Sequence, residues 1–214
     1  PVPNEKDIQL LPSDKWILAE LNQVIEETTS GYKELDFNLP AVKIRSFTWE
    51  TFASHYIELV KARAYNKGRI FLEKQQAGAW HTLHKCLETI IRILAPICPF
   101  ITEDISRKLY SPSTSIHLQS FPKSQSQWET PLRALTPLIV ASNSALWKTK
   151  KDNRLPLNAP IKDLRLPNDL EPLKDDMKAM HNALEIDFKP PQVTPAKKYI
   201  TIDISQDKKE TMIY

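Results

Sequence analysis

The sequence predicts a mainly α protein, an antiparallel helix bundle followed by a small α+β subdomain. The prolines carry the first part of this reading. Between Pro12 and Pro96 only Pro40 intervenes, whereas thirteen of the 17 prolines fall from Pro96 onward. The first half is therefore free to form long helices, and the second is broken into short elements. The apolar spacing carries the rest: it steps by three and four in the first half and alternates near residues 199–204. A polar, turn-rich stretch at residues 119–127 separates a bundle over residues 1–123 from a subdomain over residues 124–214.

The first helix is expected to open at Ser13 as N-cap, with Asp14 at the positive end of the helix dipole. Its apolar line is Ile17, Leu18, Leu21, Val24, Ile25, Thr28, Tyr32 and Leu35. The second begins near Asn38, with Pro40 in its first turn, where a missing N–H is harmless. Its stripe runs Val42, Trp49, Phe52, Tyr56, Leu59 and Val60, with Arg45 and Arg63 on the same line. Arg45 is expected to pair with a carboxylate of the first helix. A third helix over residues 77–94 carries Trp80, Leu83, Leu87, Ile90, Ile91 and Leu94, and Pro96 ends it. Trp16, Trp49 and Trp80 fall at core spacing. A short fourth helix follows Pro99, with Ile101, Ile105 and Leu109 four residues apart. Short connections between such helices favour antiparallel neighbours.

Beyond Tyr110 the expected elements are shorter. Residues 111–115 form a loop and residues 116–118 an extended segment. A fifth helix runs from Thr130 or Thr136, each followed by Pro, to about Lys151. A strand over residues 161–166, a short helix over 170–184 and a last strand over 199–204 follow. The last ten residues are expected to be a polar tail.

Composition excludes several functions. The chain has 214 residues, of which 41% are apolar, enough for a substantial core. Its three glycines, at 31, 68 and 78, lie too far apart for a Walker loop or a dinucleotide-binding turn. No apolar run approaches 18 residues, so no membrane partner is expected. Cys86 and Cys98 do not make a disulfide framework, so a reducing, cytoplasmic setting is expected and both cysteines should fill core space. His81, His84 and Glu88 share a helix face, but a packed or solvated role is expected rather than a metal. No serine sits in a nucleophile-elbow context, and no catalytic residue is assigned.

The net charge of +3 conceals a patterned distribution. Residues 1–60 hold five Lys and Arg against ten Asp and Glu; residues 61–110 hold nine against four, and residues 111–167 eight against three. Two dense clusters dominate the basic middle. One is Lys61, Arg63, Lys67, Arg69 and Lys74, with Tyr65, Asn66 and Phe71 interleaved; the other is Lys148, Lys150, Lys151 and Arg154. Basic residues at helix C-termini complement the dipole, which accounts for one or two charges per end. Four or five, mixed with aromatics, fit nucleic acid better, because phosphates meet Lys and Arg while unpaired bases stack on rings. A helical protein-interaction module meeting an acidic partner stays open on these residues alone.

Four segments taken in order carry a family resemblance. SDKWILAELNQVIEE, FTWETFASHYIELVKARAYN, APICPFITEDISRKLY and SIHLQSFP together resemble the anticodon-binding domain of class I aminoacyl-tRNA synthetases of the valine, isoleucine and leucine group. Phe121 stands where that family usually has Trp. WKTKKDNRLPLNAPI, together with Phe-Thr-Trp-Glu, is most similar to the valine branch in its archaeal form, with the isoleucine and leucine branches as the alternative. The resemblance covers about residues 13–204. It implies a helix bundle that binds the anticodon stem-loop of valine tRNA and works beside the catalytic domain of a longer parent chain, which would use ATP. The His-Ile-Gly-His and Lys-Met-Ser-Lys-Ser signatures are absent from this sequence. It is thus expected to be a C-terminal, non-catalytic piece that needs no cofactor of its own. Charge clustering, rather than the resemblance, names the expected contacts: Lys61, Arg63, Asn66, Lys67 and Arg69 for the loop, with Arg63 or Asn66 at a base edge, and Lys148, Lys150, Lys151 and Arg154 for the stem backbone.

Overall fold

The computed structural model describes residues 3, 5–189, 200–203 and 210–213. Helix α1 spans Pro12–Lys33 and, after a short turn, α2 spans Asn38–Ser46. The chain continues without a break through a π-helical stretch, Phe47–Ile57, into α3, Glu58–Tyr65. Helices α4 (Glu73–Leu94) and α5 (Pro99–Leu109) complete the bundle. At one end Asp14 meets Arg63, and Gln9 N–H donates to the Lys74 carbonyl at 2.9 Å. At the other, Tyr32 hydroxyl donates to the Ile93 carbonyl at 2.8 Å. Helices α1 and α4 therefore run in the same direction, and the α2–α3 rod returns between them.

The boundaries follow local chemistry. Helix α1 starts at Pro12, one residue before the expected cap, because Asp14 accepts the Leu11 N–H at 2.8 Å and closes the first turn itself. Helix α4 begins four residues earlier than its apolar line suggests, where Gln75 accepts the Leu72 N–H at 3.0 Å. Gly78 is required by a close approach. A Cβ there would overlap the Gln9 carbonyl, so glycine lets the segment leading into α1 lie against α4.

The core is built from Trp16, Leu21, Ile25, Phe52, Tyr56, Leu59 and Ile93, all buried. Each such aliphatic side chain contributes about 1.5–3 kcal/mol by leaving water. The π-helical stretch changes which residues join it. Five-residue closure shifts the register of the α2–α3 rod, with Trp49 outward at 73% exposure, while Val42, ahead of that stretch, is exposed because Pro40 and Ile44 form the buried face of α2. Trp80 is also partly outside, so only Trp16 of the three expected tryptophans is core. Arg45 is exposed, and Lys43 makes the expected contact with α1, to Glu27 at 3.0 Å.

Residues 116–118 form a 3-10 turn, Ile116–Leu118, rather than an extended segment. A strap follows and is tied to α1 by Gln125 N–H, which donates to Asn22 Oδ1 at 2.7 Å. The expected fifth helix is a 3-10 turn, Pro131–Leu135, that runs into α6, Thr136–Asp152. Trp16 Nε1 donates to Thr136 Oγ1 at 2.7 Å and holds α6 to the bundle. Strand β1, Ile161–Pro167, leads through a 3-10 turn, Asn168–Leu173, to α7, Lys174–His181. Strand β2, Ala183–Lys189, lies parallel to β1, with Leu164 beside Ile186 and Leu166 beside Phe188. Strand β3, Ile200–Asp203, and strand β4, Glu210–Ile213, pair antiparallel, giving the order β2-β1-β3-β4. Tyr199 and Ile204 of the expected last strand lie outside the described residues. Strand β4 occupies part of the stretch expected to be a tail. One hydrophobic core runs from Trp16 and Tyr56 to Ile161, Leu166 and Met177, across the stretch at residues 119–127.

Replacing Gly78 by Ala should push the residues before α1 off α4. The expected loss is about 1–3 kcal/mol, read as a lower unfolding midpoint in urea with an unchanged slope.

Candidate nucleic-acid interface

The first basic cluster surrounds the turn between α3 and α4, and that turn is firmly built. Asn66 ends α3 in the left-handed region, φ 43°, which a short polar side chain tolerates. Its side chain brackets Phe71: Nδ2 donates to the Phe71 carbonyl at 2.9 Å, and Oδ1 accepts the Phe71 N–H at 3.1 Å. Arg69, at φ 50°, donates its N–H to the Asn66 carbonyl at 3.0 Å. Phe71 is buried beneath the turn. On the α4 side, Trp80 Nε1 and Gln76 Nε2 both donate to the Ala64 carbonyl, at 3.0 and 2.8 Å. Lys67 Nζ lies 6.0 Å from the centre of the Tyr65 ring, at the limit of a cation–π contact.

The structure divides the expected loop residues into two groups. Lys61, Lys67 and Arg69 are exposed, as is Lys74 beside them, and Lys61 shares a surface ion pair with Glu58 at 3.1 Å. Arg63 is not available to a base, because it is entirely buried. Its guanidinium donates to Asp14 from two nitrogens at 2.7 and 2.9 Å, and to Asp176 at 2.9 and 3.0 Å. It also donates to the Gln75 carbonyl at 2.8 Å and Ser13 Oγ at 3.1 Å. Burial pulls its pKa down, but hydrogen bonds and charge from Asp14, then Asp176, more than offset this and hold it above the usual arginine value. Asn66 is likewise occupied by Phe71 and shapes the turn. The physical reason for both corrections is partnership. Composition along the chain cannot show that Asp14 and Asp176, 49 and 113 residues away from Arg63, converge on it.

The second cluster divides in the same way. Lys148, Lys151 and Arg154 are exposed at the end of α6. Lys150 points inward, and its ammonium donates to the carbonyls of Leu157, Ala159 and His181 at 2.7, 2.8 and 3.1 Å. All three protons are used, so Lys150 fastens α6 to the loop before β1 and the end of α7 instead of meeting a phosphate. Burial draws it down to about 8. His181 lies beside it, with Nε2 donating to Asn143 Oδ1 at 3.1 Å while Asn143 Nδ2 donates to His55 Nδ1 at 3.4 Å. Burial first, and the Lys150 charge second, lower His181 to about 3. Elsewhere, His84 Nδ1 meets the Tyr110 hydroxyl at 3.2 Å and Glu88 approaches Arg92 at 3.9 Å. Among the described residues no three His, Cys, Asp or Glu side chains converge as a metal site would require, and no helix is long and apolar enough to cross a membrane.

The neutral His181 predicts an acid response. Its folded pKa, about 3, lies below the unfolded value near 6.5, so the unfolded chain binds the extra proton between them. Its contribution is complete above pH 6.5 and fades as pH falls toward 3, with a slope of up to about 1.4 kcal/mol per pH unit. Urea titrations from pH 7 to 4 should show a shallower pH dependence for His181→Asn than for the wild type, by one proton.

The family model for the anticodon-binding domain of tRNA ligase matches residues 14–166. The valine–tRNA ligase of Aeropyrum pernix is 37% identical over 79% of this chain and 21% of its own length. Those of Pyrobaculum aerophilum and Methanothrix thermoacetophila are 35% and 32% identical over 87% and 86% of this chain, and 23% and 20% of their own lengths. The chain thus spans about a fifth of the length of these relatives. It belongs to the family of anticodon-binding domains of tRNA ligases.

Proposed function

We propose that this chain binds the anticodon stem-loop of valine tRNA, as the selecting and positioning part of a valine–tRNA ligase whose ATP-dependent chemistry is carried by a catalytic domain elsewhere in the parent polypeptide. The family match over residues 14–166 carries this reading, and the naming of the similar relatives points it toward valine. The chain's own part is non-catalytic, needs no cofactor, and acts in the cytoplasm.

The exposed cations give the reading a physical basis. Lys61, Lys67 and Arg69 stand on a turn held by side-chain bridges, so little ordering is needed when RNA arrives. These residues meet phosphates of the loop, whereas Lys148, Lys151 and Arg154 meet the stem backbone. Valine codons differ only in their third base. The first anticodon base therefore varies, and the other two must supply the discrimination. Being unpaired, they can be splayed out and read on their edges.

Two measurements test this. A valine tRNA transcript should be retained by the protein better than a variant with a changed middle anticodon base; indifference to that base would reduce the interaction to generic electrostatics. In a salt series with the anticodon stem-loop, Lys67→Ala and Arg69→Ala should each flatten the log–log slope by about 0.7–0.9. An unchanged slope and affinity would place the interface elsewhere.

A further inference from the structure

A cleft of about 480 Å³ lies between α1 and the segment that leads into α6. One wall is the α1 face carrying Asn22, Gln23 and Glu26, and the other holds Glu129, Thr130 and Arg133. Its volume falls in the range of small-ligand sites, and none of the cations assigned above to RNA lines it. Both walls are fixed before anything enters. Gln125 N–H donates to Asn22 Oδ1 at 2.7 Å, and the Thr136 hydroxyl meets Glu20 Oε1 at 2.6 Å and the Trp16 indole at 2.7 Å. Leu132 and Leu135, between these ties, pack on the core.

The helix wall holds an unused donor. Asn22 is 4% exposed, and its orientation is set by the bond from Gln125 to Oδ1, yet among the described residues its Nδ2 has no partner. An inward-facing amide N–H left without an acceptor is costly, so the acceptor comes from whatever fills the cleft. Gln23, the next residue, donates Nε2 to Glu27 at 3.2 Å and keeps Oε1 as an acceptor. One donor beside one acceptor matches the C=O and N–H of a peptide group. The charges are laid out along the cleft. With Gln125 tied to Asn22 and Thr136 tied to Trp16 and Glu20, the segment runs antiparallel to α1. Arg133, just before Thr136, therefore stands toward the Ala19 end, and Glu26 stands at the other. Among the described residues neither side chain makes an ion pair. The rise of α1 from Ala19 to Glu26 is about 10 Å, the reach of about three extended residues.

We infer that this cleft binds a short zwitterionic peptide of about three residues, with its carboxylate at Arg133, its ammonium at Glu26 and a central peptide group on Asn22 and Gln23. Glu129 adds to the negative field that favours the ammonium. A nucleic-acid strand does not suit the cleft, because Glu26 and Glu129 outnumber Arg133 and repel phosphate. A polyamine would leave Asn22 without an acceptor. The site is separate from the tRNA reading and does not rest on it.

An NMR titration of the isotope-labelled chain with trialanine tests this. Trialanine should shift the Asn22 side-chain amide signals saturably. N-acetyl-trialanine and trialanine amide each lose one end charge and should bind up to about fivefold more weakly. Arg133→Ala should erase the difference between trialanine and its amide, and Glu26→Gln the difference between trialanine and its N-acetyl form, each leaving the other difference in place. Asn22→Asp keeps the acceptor for Gln125 but removes the donor, and it should weaken trialanine about tenfold. Both exposed-residue variants leave the core untouched, so they decide the matter even if the Asn22 variant unfolds. Shifts that never saturate or that bypass Asn22, or equal binding of the three peptides, would overturn the site. Displacement of trialanine by the valine anticodon stem-loop would assign the cleft to RNA and overturn it as well.

Discussion

The buried fork of Arg63 between Asp14 and Asp176 is the interaction on which the rest of this structure depends. It joins the first turn of α1, the last turn of α3 and the start of α7, which are three elements from opposite ends of the chain. Two carboxylates and one guanidinium, all inaccessible, would be costly without complementary partners. Here the arrangement is fully connected. Tyr56 hydroxyl donates to Asp14 Oδ1 at 2.6 Å, Ser13 hydroxyl donates to Asp176, and the Gln75 carbonyl takes a further guanidinium proton. Burial and the Asp14 charge also push the Tyr56 phenol well above its ordinary value, so it remains a donor. Such a network specifies how the subdomain is set against the bundle, which apolar contacts alone leave less determined.

The surface turn is held separately. Arg63 also donates to the Gln75 carbonyl on α4, but the turn that carries Lys67 and Arg69 keeps its shape through Asn66, which brackets Phe71, and Gln76, which donates to the Ala64 carbonyl. Lys150 repeats the device at the end of α6, where three carbonyls fasten the helix and its neighbours Lys148 and Lys151 remain outside. In both clusters, then, one basic residue is turned inward to hold the element and the others are presented to solvent. Charge clustering in a sequence overstates the size of an interface for this reason.

The helices of the bundle were legible because apolar spacing and proline position are local signals, and α1 and α4 obey both, whereas α5 obeys only its proline start, with Ile101 and Leu109 of its expected apolar line exposed. The π-helical stretch was not, since a change from four- to five-residue closure leaves no periodic mark and moves Trp49 from an apparent stripe to the surface. The helix expected over residues 170–184 overruns the end of α7 into the first two residues of β2, Ala183 and Leu184, because Asn182 at φ 52° makes the break in a single residue. Ile186 and Phe188 within β2 do alternate with Glu185 and Asp187, which is the signal that could have identified it. At the site, the exposed lysines and Arg69 were legible as charge, whereas the burial of Arg63 and Lys150 was not, because it depends on Asp176 and on the carbonyls of the loop before β1. Tyr65 was legible as an aromatic interleaved with the charges, whereas Trp80, whose indole donates to the Ala64 carbonyl beside the turn, falls at core spacing in the sequence.

The central claim is that Arg63 acts as a structural key and not as a reader of RNA. Arg63→Gln, studied below its melting temperature, separates these roles in one pair of measurements. Thermal unfolding should fall and divide into two transitions as α7 loses its tie to the bundle, with a cost of about 3–5 kcal/mol. The folded variant should bind the valine anticodon stem-loop within about twofold of the wild type. An unaltered single transition accompanied by lost stem-loop affinity would contradict the account.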